Sequence, residues 1–155
     1  MRQNHLQICL FQPEIPQNTG TIGRLAAGTG SRLHLIKPFG FATGDKNLRR
    51  AGLDYWPFLD LEIHADTASL LANFPGPNRV AFFSKKAAKS YIAMPLSTEL
   101  LFFGRETSGL PTSLWEEHSE DFYQIPMFHP GVRSLNLACS VSIVVYHQMH
   151  ARGLL

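Results

Sequence analysis

Short, continuously apolar runs recur along this chain, and they limit the folds open to it more than any other feature. Two of them read VAFF, at residues 80–83, and LLFFG, at residues 100–104. Strands with one solvent-exposed face alternate apolar and polar residues, whereas strands covered on both faces are apolar throughout. The sequence therefore predicts buried strands within six segments, namely residues 6–11, 32–37, 56–63, 79–84, 99–104 and 122–127.

Helix-like segments separate these runs. Asn18 and Thr19 are predicted to cap a first helix, Asp66 suits a helix start, and Pro111 suits a first turn. Strand–helix alternation predicts one α/β domain over residues 1–155, with a mostly parallel six-stranded sheet between helices. The stretches 39–45 and 84–95 are expected to be mobile. The later predicted helices cover residues 45–52, 67–74, 112–118 and 136–152.

Composition fits a globular protein of ordinary type. The chain has 155 residues, of which 45% are hydrophobic and 17% charged, and its net charge is +2. Its two cysteines, Cys9 and Cys139, have no disulfide or zinc-site spacing, so we expect buried free thiols. No signal peptide is recognisable, and no run approaches the roughly 20 apolar residues of a membrane span. A cytoplasmic location with no membrane partner is the expectation.

The first loop with ligand-binding character is PEIPQNTGTIGRLAAGTG, residues 13–30. It matches neither the dinucleotide fingerprint nor the P-loop, and its last glycines suit a helix end. Most of it reads as a helix start with small residues for close packing. Arg24 could hold a phosphate or carboxylate bidentately, although, taken alone, a surface salt bridge is the better explanation of it.

Two more loops follow apolar strands. In LLFFGRETSGLP, residues 100–111, Gly104 would let a ligand approach the backbone and Glu106 could accept a hydrogen bond. A tight strand–helix turn is the alternative. In IPMFHPGVRSLNLACS, residues 125–140, Ser134 is predicted to cap the final helix, and His129 is expected in solvent. Ligands of α/β sheets bind beyond the carboxyl ends of strands, so we expect the three loops to share one pocket.

Other chemistries find no support. There is no G-x-S-x-G elbow, and the seven histidines are scattered. His147 and His150 are three residues apart but have no evident third ligand, so no metal is expected. Two basic clusters, opposed by an acidic one around Glu116, suit a phosphate backbone or are simply solvated faces. The clusters are Lys46, Arg49 and Arg50, and Arg79, Lys85, Lys86 and Lys89.

The three loops, together with DKNLRRAGLDYW at residues 45–56, closely resemble the ordered signature motifs of the knotted SPOUT methyltransferases. The resemblance runs nearly the full chain and is greatest to the small branch that methylates the wobble ribose of tRNA. It implies a C-terminal trefoil knot, a homodimer, and methyl transfer from S-adenosylmethionine to a wobble nucleotide of the cytidine or carboxymethylaminomethyl-uridine type. The apolar faces of the first and last helices are expected to pack into the core or to form part of the subunit contact. These faces carry Ile22, Leu25, Leu137, Val141, Val144 and Val145.

The resemblance also implies site residues. Arg24 would be the catalytic residue, and no metal would take part. The cofactor would contact Phe83, Gly104, Glu106, Ile125, Met127, Ser134 and Asn136. The RNA would contact Lys46, Arg49, Arg50, Tyr55 and Arg133. One local departure is 129–132, which lacks a polar residue that some relatives carry before Arg133, and another is 105–108, where family members vary.

Three alternatives stay open from the sequence. The target could be another tRNA position or ribosomal RNA. The chain could be a non-catalytic knotted RNA-binding protein, which the intact Arg24, Gly104, Ser134 and Asn136 disfavour. It could also be a nucleotide-binding protein of flavodoxin type, which would not respond to S-adenosylmethionine.

Overall fold

The computed structural model describes residues 5–42, 46, 50 and 54–155. The strands are β1 (Gln7–Phe11), β2 (Arg32–Ile36), β3 (Leu61–His64), β4 (Val80–Phe83), β5 (Lys89–Ser90), β6 (Leu100–Phe103) and β7 (Phe122–Gln124). The helices are α1 (Pro16–Thr29), α2 (Thr67–Leu71), α3 (Thr112–His118) and α4 (Leu137–Ala151). Short 3-10 turns cover Trp56–Phe58, Tyr91–Ala93 and Ser119–Asp121.

The described strands form one sheet in the order β3-β2-β1-β6-β4-β7-β5, and every neighbouring pair is parallel. The α/β class with a parallel sheet is therefore confirmed. The count of six strands is wrong, because β5 adds a seventh at the edge by pairing Lys89 with Tyr123 and Ser90 with Gln124. Strand β5 could not be predicted from an apolar run, because it consists of two polar residues, and it lies in a stretch that we expected to be mobile.

Prolines account for two misplaced strand boundaries. The predicted strand at 56–63 divides into a 3-10 turn and β3, since Pro57 lies in that turn and has no N–H for a sheet ladder. The last predicted strand, 122–127, ends at Gln124, two residues before Pro126. The apolar runs identified where strands lie, while the ladder hydrogen bonds determined their ends.

Two predicted helix caps are wrong. Helix α1 begins at Pro16 after Ile15, which makes no side-chain cap, and Asn18 and Thr19 are buried inside its first turn. Helix α4 is capped by Asn136 and not by Ser134. The Asp66 cap of α2 is confirmed by a 2.8 Å hydrogen bond that its carboxylate accepts from the Ser69 N–H.

The core lies on both faces of the sheet, because successive strand residues point to opposite sides. On one face, Ile22 of α1 packs with Val141, Val144 and Val145 of α4, and all four are fully buried. These four residues are therefore core, whereas Leu25 and Leu137 of the same two helices are only partly buried, and a subunit contact there stays a prediction. Cys9 is buried on the opposite face. Cys139 is exposed, which contradicts the expected buried thiol.

Part of the predicted basic region lies outside the described residues. Arg49 and most of the predicted helix 45–52 belong there, as do residues 43–45 of the first stretch expected to be mobile. Lys46 and Arg50 are described, and both are exposed. Within the described part of the chain, no helix is long and apolar enough to cross a membrane.

Candidate active site at the carboxyl ends of the strands

A cavity of about 860 Å³ opens beyond the carboxyl ends of β4, β6 and β7. This volume falls in the usual range for small-molecule sites. The loops after these strands line it, together with the start of α1 and of α4. All seven residues that sequence analysis assigned to the cofactor lie in its wall: Phe83, Gly104, Glu106, Ile125, Met127, Ser134 and Asn136.

A second cavity, of about 1350 Å³, lies beside the start of β1 at Gln7 and the end of α4. None of the residues predicted to bind cofactor or RNA lines it. The cavity at the carboxyl ends is therefore the one that the sequence motifs converge on.

The loop after β6 is closed on itself. The Arg105 N–H donates to the Gly109 carbonyl and the Gly109 N–H donates back, both at 3.0 Å. A Cβ added to Gly104 would lie 2.4 Å from the Gly109 carbonyl carbon and 2.6 Å from the Leu110 nitrogen. Glycine is required at position 104 because the chain packs against itself there, whatever a ligand also needs.

Glu106 ties this loop to the chain before α1. Its two carboxylate oxygens accept from the backbone N–H groups of Glu14, at 2.9 Å, and Ile15, at 3.1 Å. Glu14 returns the contact by accepting from the Thr107 hydroxyl at 2.7 Å and the Thr107 N–H at 3.1 Å. These bonds lower the pKa of Glu14 below its ordinary value of 4.5. Glu106 thus joins the loop after β6 to the chain before α1, at the wall of the cavity.

Asn136 joins the last helix to the first. Its Oδ1 accepts from the Ala138 N–H at 2.8 Å, and its Nδ2 donates to Asn18 Oδ1 at 3.0 Å. Asn18 is 8% exposed and lies in the cavity wall. Asn18 and Glu14 could not be recognised as supporting residues from the sequence, because neither apolar periodicity nor a motif marks a contact between residues so far apart in the chain.

The cavity has an aromatic side and a basic rim. The Phe83 ring stacks on Phe103 with 4.6 Å between centroids. Lys85, Lys86 and Arg133 line the cavity and are exposed. Such a site offers apolar surface for a flat ring and positive charge for phosphate.

In the second basic cluster, which comprises Arg79, Lys85, Lys86 and Lys89, two residues contact other protein groups and two line the cavity. Arg79 forms an ion pair of 2.5 Å with Glu99, and Lys89 Nζ donates to the Glu120 carbonyl while lying 4.8 Å from the Tyr123 ring centroid. Lys85 and Lys86 are the members of this cluster that face the cavity.

Arg24 and Tyr55 lie outside the cavity. Arg24 is exposed on α1. The Tyr55 hydroxyl donates to the Gly20 carbonyl, and a Cβ on Gly23 would lie 3.5 Å from the Tyr55 ring. Burial raises the pKa of Tyr55. Within one chain, the predicted catalytic residue and the predicted cofactor residues therefore form two separate groups.

This chain is similar along most of its length to one family model and to curated methyltransferases. A family model described as the SpoU rRNA Methylase family matches residues 5–146. The tRNA (cytidine(34)-2'-O)-methyltransferase of Escherichia coli strain K12 is 44% identical over 150 residues, covering 96% of this chain and 94% of that protein. The protein of the same name from Yersinia pestis is 42% identical over 154 residues, covering 96% and 94%.

Solved structures have the same fold. One, described as giving structural insights into the 2-OH methylation of C/U34 on tRNA, has a TM-score of 0.87 at 42% identity, covering 96% of this chain and 97% of that chain. The SpoU methyltransferase AviRb from Streptomyces viridochromogenes, in complex with AdoMet, has a TM-score of 0.80 at 20% identity, covering 99% and 63%. With the family model matching most of the chain and relatives above 40% identity, this chain belongs to the SpoU methylase family.

Proposed function

We propose that this chain transfers a methyl group from S-adenosylmethionine to the ribose 2'-hydroxyl of the wobble nucleotide, position 34, in a tRNA anticodon loop. The observation that carries the proposal is the convergence of seven predicted cofactor residues on one cavity. Full-length relatives named for this reaction at position 34 support the choice of target. Wobble cytidine and carboxymethylaminomethyl-uridine are the expected nucleosides.

The cavity residues suit a folded adenosyl cofactor. S-adenosylmethionine supplies a methyl group on a sulfonium, which a ribose hydroxyl can displace in line. Phe83 and Ile125 offer apolar surface to a base, and Gly104 and Ile125 offer backbone groups to its edge. Ser134 and Asn136 place polar groups at the start of α4. Exclusion of water and alignment of the acceptor are the main contributions of the protein, and orientation can supply about 7–11 kcal/mol of the barrier.

Arg24 is proposed to act on the RNA side of the reaction. A guanidinium has a pKa above about 12 and is a very poor base, so we assign Arg24 to holding phosphate or stabilising charge on the forming alkoxide. Arg24 lies six residues beyond Asn18 on α1, which is about 9 Å along the helix and on another side of it. Because Arg24 does not line the cavity of its own chain, we propose that a second molecule brings the two together.

A homodimer satisfies this requirement, and we propose that Arg24 of one copy serves the cavity of the other. Lys46, Arg49, Arg50, Tyr55 and Arg133 are the proposed RNA contacts. Two copies also double the positive field, which is small for a chain of net charge +2. We further propose a trefoil knot formed by the chain between β6 and α4, and a cytoplasmic location, both supported by similarity to relatives named as tRNA methyltransferases.

Ribose methylation in tRNA and ribosomal RNA from cells that lack this gene, mapped by mass spectrometry after incubation with labelled S-adenosylmethionine, tests the proposed reaction. We expect one methyl group at position 34 of tRNA and none in ribosomal RNA. Methylation at another tRNA position or in ribosomal RNA would redirect the assignment. Cofactor binding without transfer to any RNA would favour a non-catalytic RNA-binding protein.

Mixing two inactive variants tests the shared site. Arg24→Ala is expected to lose turnover with nearly unchanged cofactor affinity, and Asn136→Ala to lose cofactor affinity. If each copy supplies Arg24 to the other, co-refolding the two variants in equal amounts restores about a quarter of the wild-type activity. Half of the dimers are then mixed, and each mixed dimer has one intact site out of two. Failure to regain activity would contradict action between copies, and turnover by Arg24→Ala alone would remove Arg24 from the reaction.

A further inference from the structure

A second cluster of titratable side chains lies at the edge of the sheet farthest from β5, on β2 and β3. His34 of β2 is level with Glu62 of β3 in the parallel register, and His64 follows two residues later. Glu62 and His64 therefore lie on one face of β3 and flank the His34 ring. None of the three lines the proposed methyltransferase cavity.

The three ligand atoms are close enough to hold one ion. His34 Nδ1 lies 2.9 Å from His64 Nε2, and each nitrogen lies 3.5 Å from Glu62 Oε2. A tetrahedral zinc ion with bonds of about 2.0–2.1 Å holds its ligands about 3.3 Å apart. The three atoms thus form one triangular face of nearly the right size, and only the two nitrogens need to separate, by about 0.4 Å.

Neighbouring groups orient these ligands. Gln7 Oε1 lies 2.7 Å from His34 Nε2, and an amide oxygen can only accept, so Nε2 carries the proton and Nδ1 presents a lone pair. Histidines that bind metals usually donate their other N–H in this way. Arg32 holds Glu62 through Oε1 at 3.0 Å, which leaves Oε2 toward the imidazoles.

Charge and access are also suitable. The Arg32 guanidinium is paired with both Asp60, at 2.8 Å, and Glu62, so its charge is offset. His34 is 2% exposed, whereas His64 is 14% and Glu62 44% exposed. An ion can therefore enter from solvent and keep a fourth position for water.

We propose that His34, Glu62 and His64 bind a divalent first-row transition metal ion, of which Zn²⁺ best suits two imidazoles and one carboxylate. Without the ion, the His64 Nε2–H donates to His34 Nδ1. The ion replaces this hydrogen bond, and the His64 proton resides on Nδ1. Bound metal fastens the edge strand β3 to β2, independently of the proposed methyl transfer.

This site departs from the sequence-based expectation of no metal, which rested on the scattered histidines, the spacing of His147 and His150, and the spacing of the two cysteines. His34 and His64 are separated by 30 residues, and only the β2–β3 pairing brings them together. The Glu62-x-His64 alternation on a strand is the one local signal, and it has no meaning without its partner strand.

Metal titration of the EDTA-treated full chain tests the site. Co²⁺, followed by visible absorption, and Zn²⁺, followed by calorimetry, are expected to bind at one equivalent per chain and to raise the melting temperature. Glu62→Gln and His64→Gln are each expected to weaken binding by at least about tenfold, with circular dichroism confirming that both fold.

Two matched variants separate ligand loss from other effects. Asp60→Asn also removes a carboxylate partner of Arg32 but no ligand, and His150→Gln removes an exposed histidine elsewhere, so both are expected to bind metal as wild type does. The proposal is overturned if the wild-type chain takes up neither ion, if His64→Gln binds with unchanged affinity, or if His150→Gln abolishes binding. Absence of tRNA methylation would leave these results intact.

Discussion

The side-chain amide of Asn136 donates a 3.0 Å hydrogen bond to Asn18, a residue 118 positions earlier in the chain. The same side chain caps α4 by accepting from the Ala138 N–H. One residue thereby holds the first turns of α1 and α4 together at the wall of the proposed cofactor cavity. The two roles can be separated by mutation.

Asn136→Ala loses both roles, whereas Asn136→Ser keeps a capping oxygen and is too short to reach Asn18. We expect the free energy of unfolding of Asn136→Ala to fall below that of Asn136→Ser by about 1 kcal/mol, the usual value of a cap. Asn18→Ala should resemble Asn136→Ser, since each loses only the link between the helices. Urea denaturation measures all three, and equal stability of the two Asn136 variants would show that the cap contributes nothing.

Gly104→Ala is expected to destabilise the chain by about 1–3 kcal/mol and to abolish S-adenosylmethionine binding, because the new methyl group overlaps the backbone at Gly109. Thermal unfolding and calorimetry measure the two effects. Gly28→Ala is the control, since nothing lies within 4 Å of a Cβ at that position of α1. This control should be neutral or slightly more stable. A Gly104→Ala variant that binds cofactor normally would contradict the packing argument.

The lowered pKa of Glu14 makes the stability of the fold depend on pH. Its pKa is lowered in the folded chain because the Thr107 hydroxyl and N–H donate to its carboxylate. The stabilisation is fully present above the ordinary pKa of 4.5 and is lost as the pH falls through the lower folded pKa. The melting temperature should therefore fall less steeply for Glu14→Gln than for wild type between about pH 6 and pH 3, a range that spans the ordinary pKa of a glutamate.

Glu116→Gln serves as the control for this titration, because Glu116 is a glutamate exposed to solvent on α3. We expect its pH profile to follow that of the wild-type chain. Identical profiles for Glu14→Gln and wild type would show that the Glu14–Thr107 contact does not stabilise the fold.

Salt dependence tests the proposed RNA surface. The double variant Lys46→Ala, Arg50→Ala should bind tRNA more weakly whatever its sequence, and its log affinity should fall less steeply with log salt concentration, by a slope of about 1–2. Filter binding at several salt concentrations measures this. Arg79→Gln should leave the slope unchanged, because Glu99 already pairs with Arg79. An unchanged slope in the double variant would place the RNA elsewhere.

Much of the architecture could be predicted from local sequence. Runs such as VAFF and LLFF are buried strands, and both are flanked by strands on either side in the sheet. The motif loops also converge on one cavity, because parallel strands bring their carboxyl ends to one edge. The strand β5 and the ends near Pro57 and Pro126 were misplaced, since hydrogen bonding with a distant partner, and not local hydropathy, decides them.

Sequence alone determined the α/β class and the positions of six of the seven described strands, and it predicted which residues line the cavity, because burial pattern and motif order are local properties. Tertiary structure decided which distant groups meet. It brought Asn136 to Asn18 and Glu106 to the chain before α1, kept Arg24 apart from the cavity, and placed His34 beside His64. The physical reason is that such pairings depend on strand order and register across the sheet, which no stretch of neighbouring residues encodes.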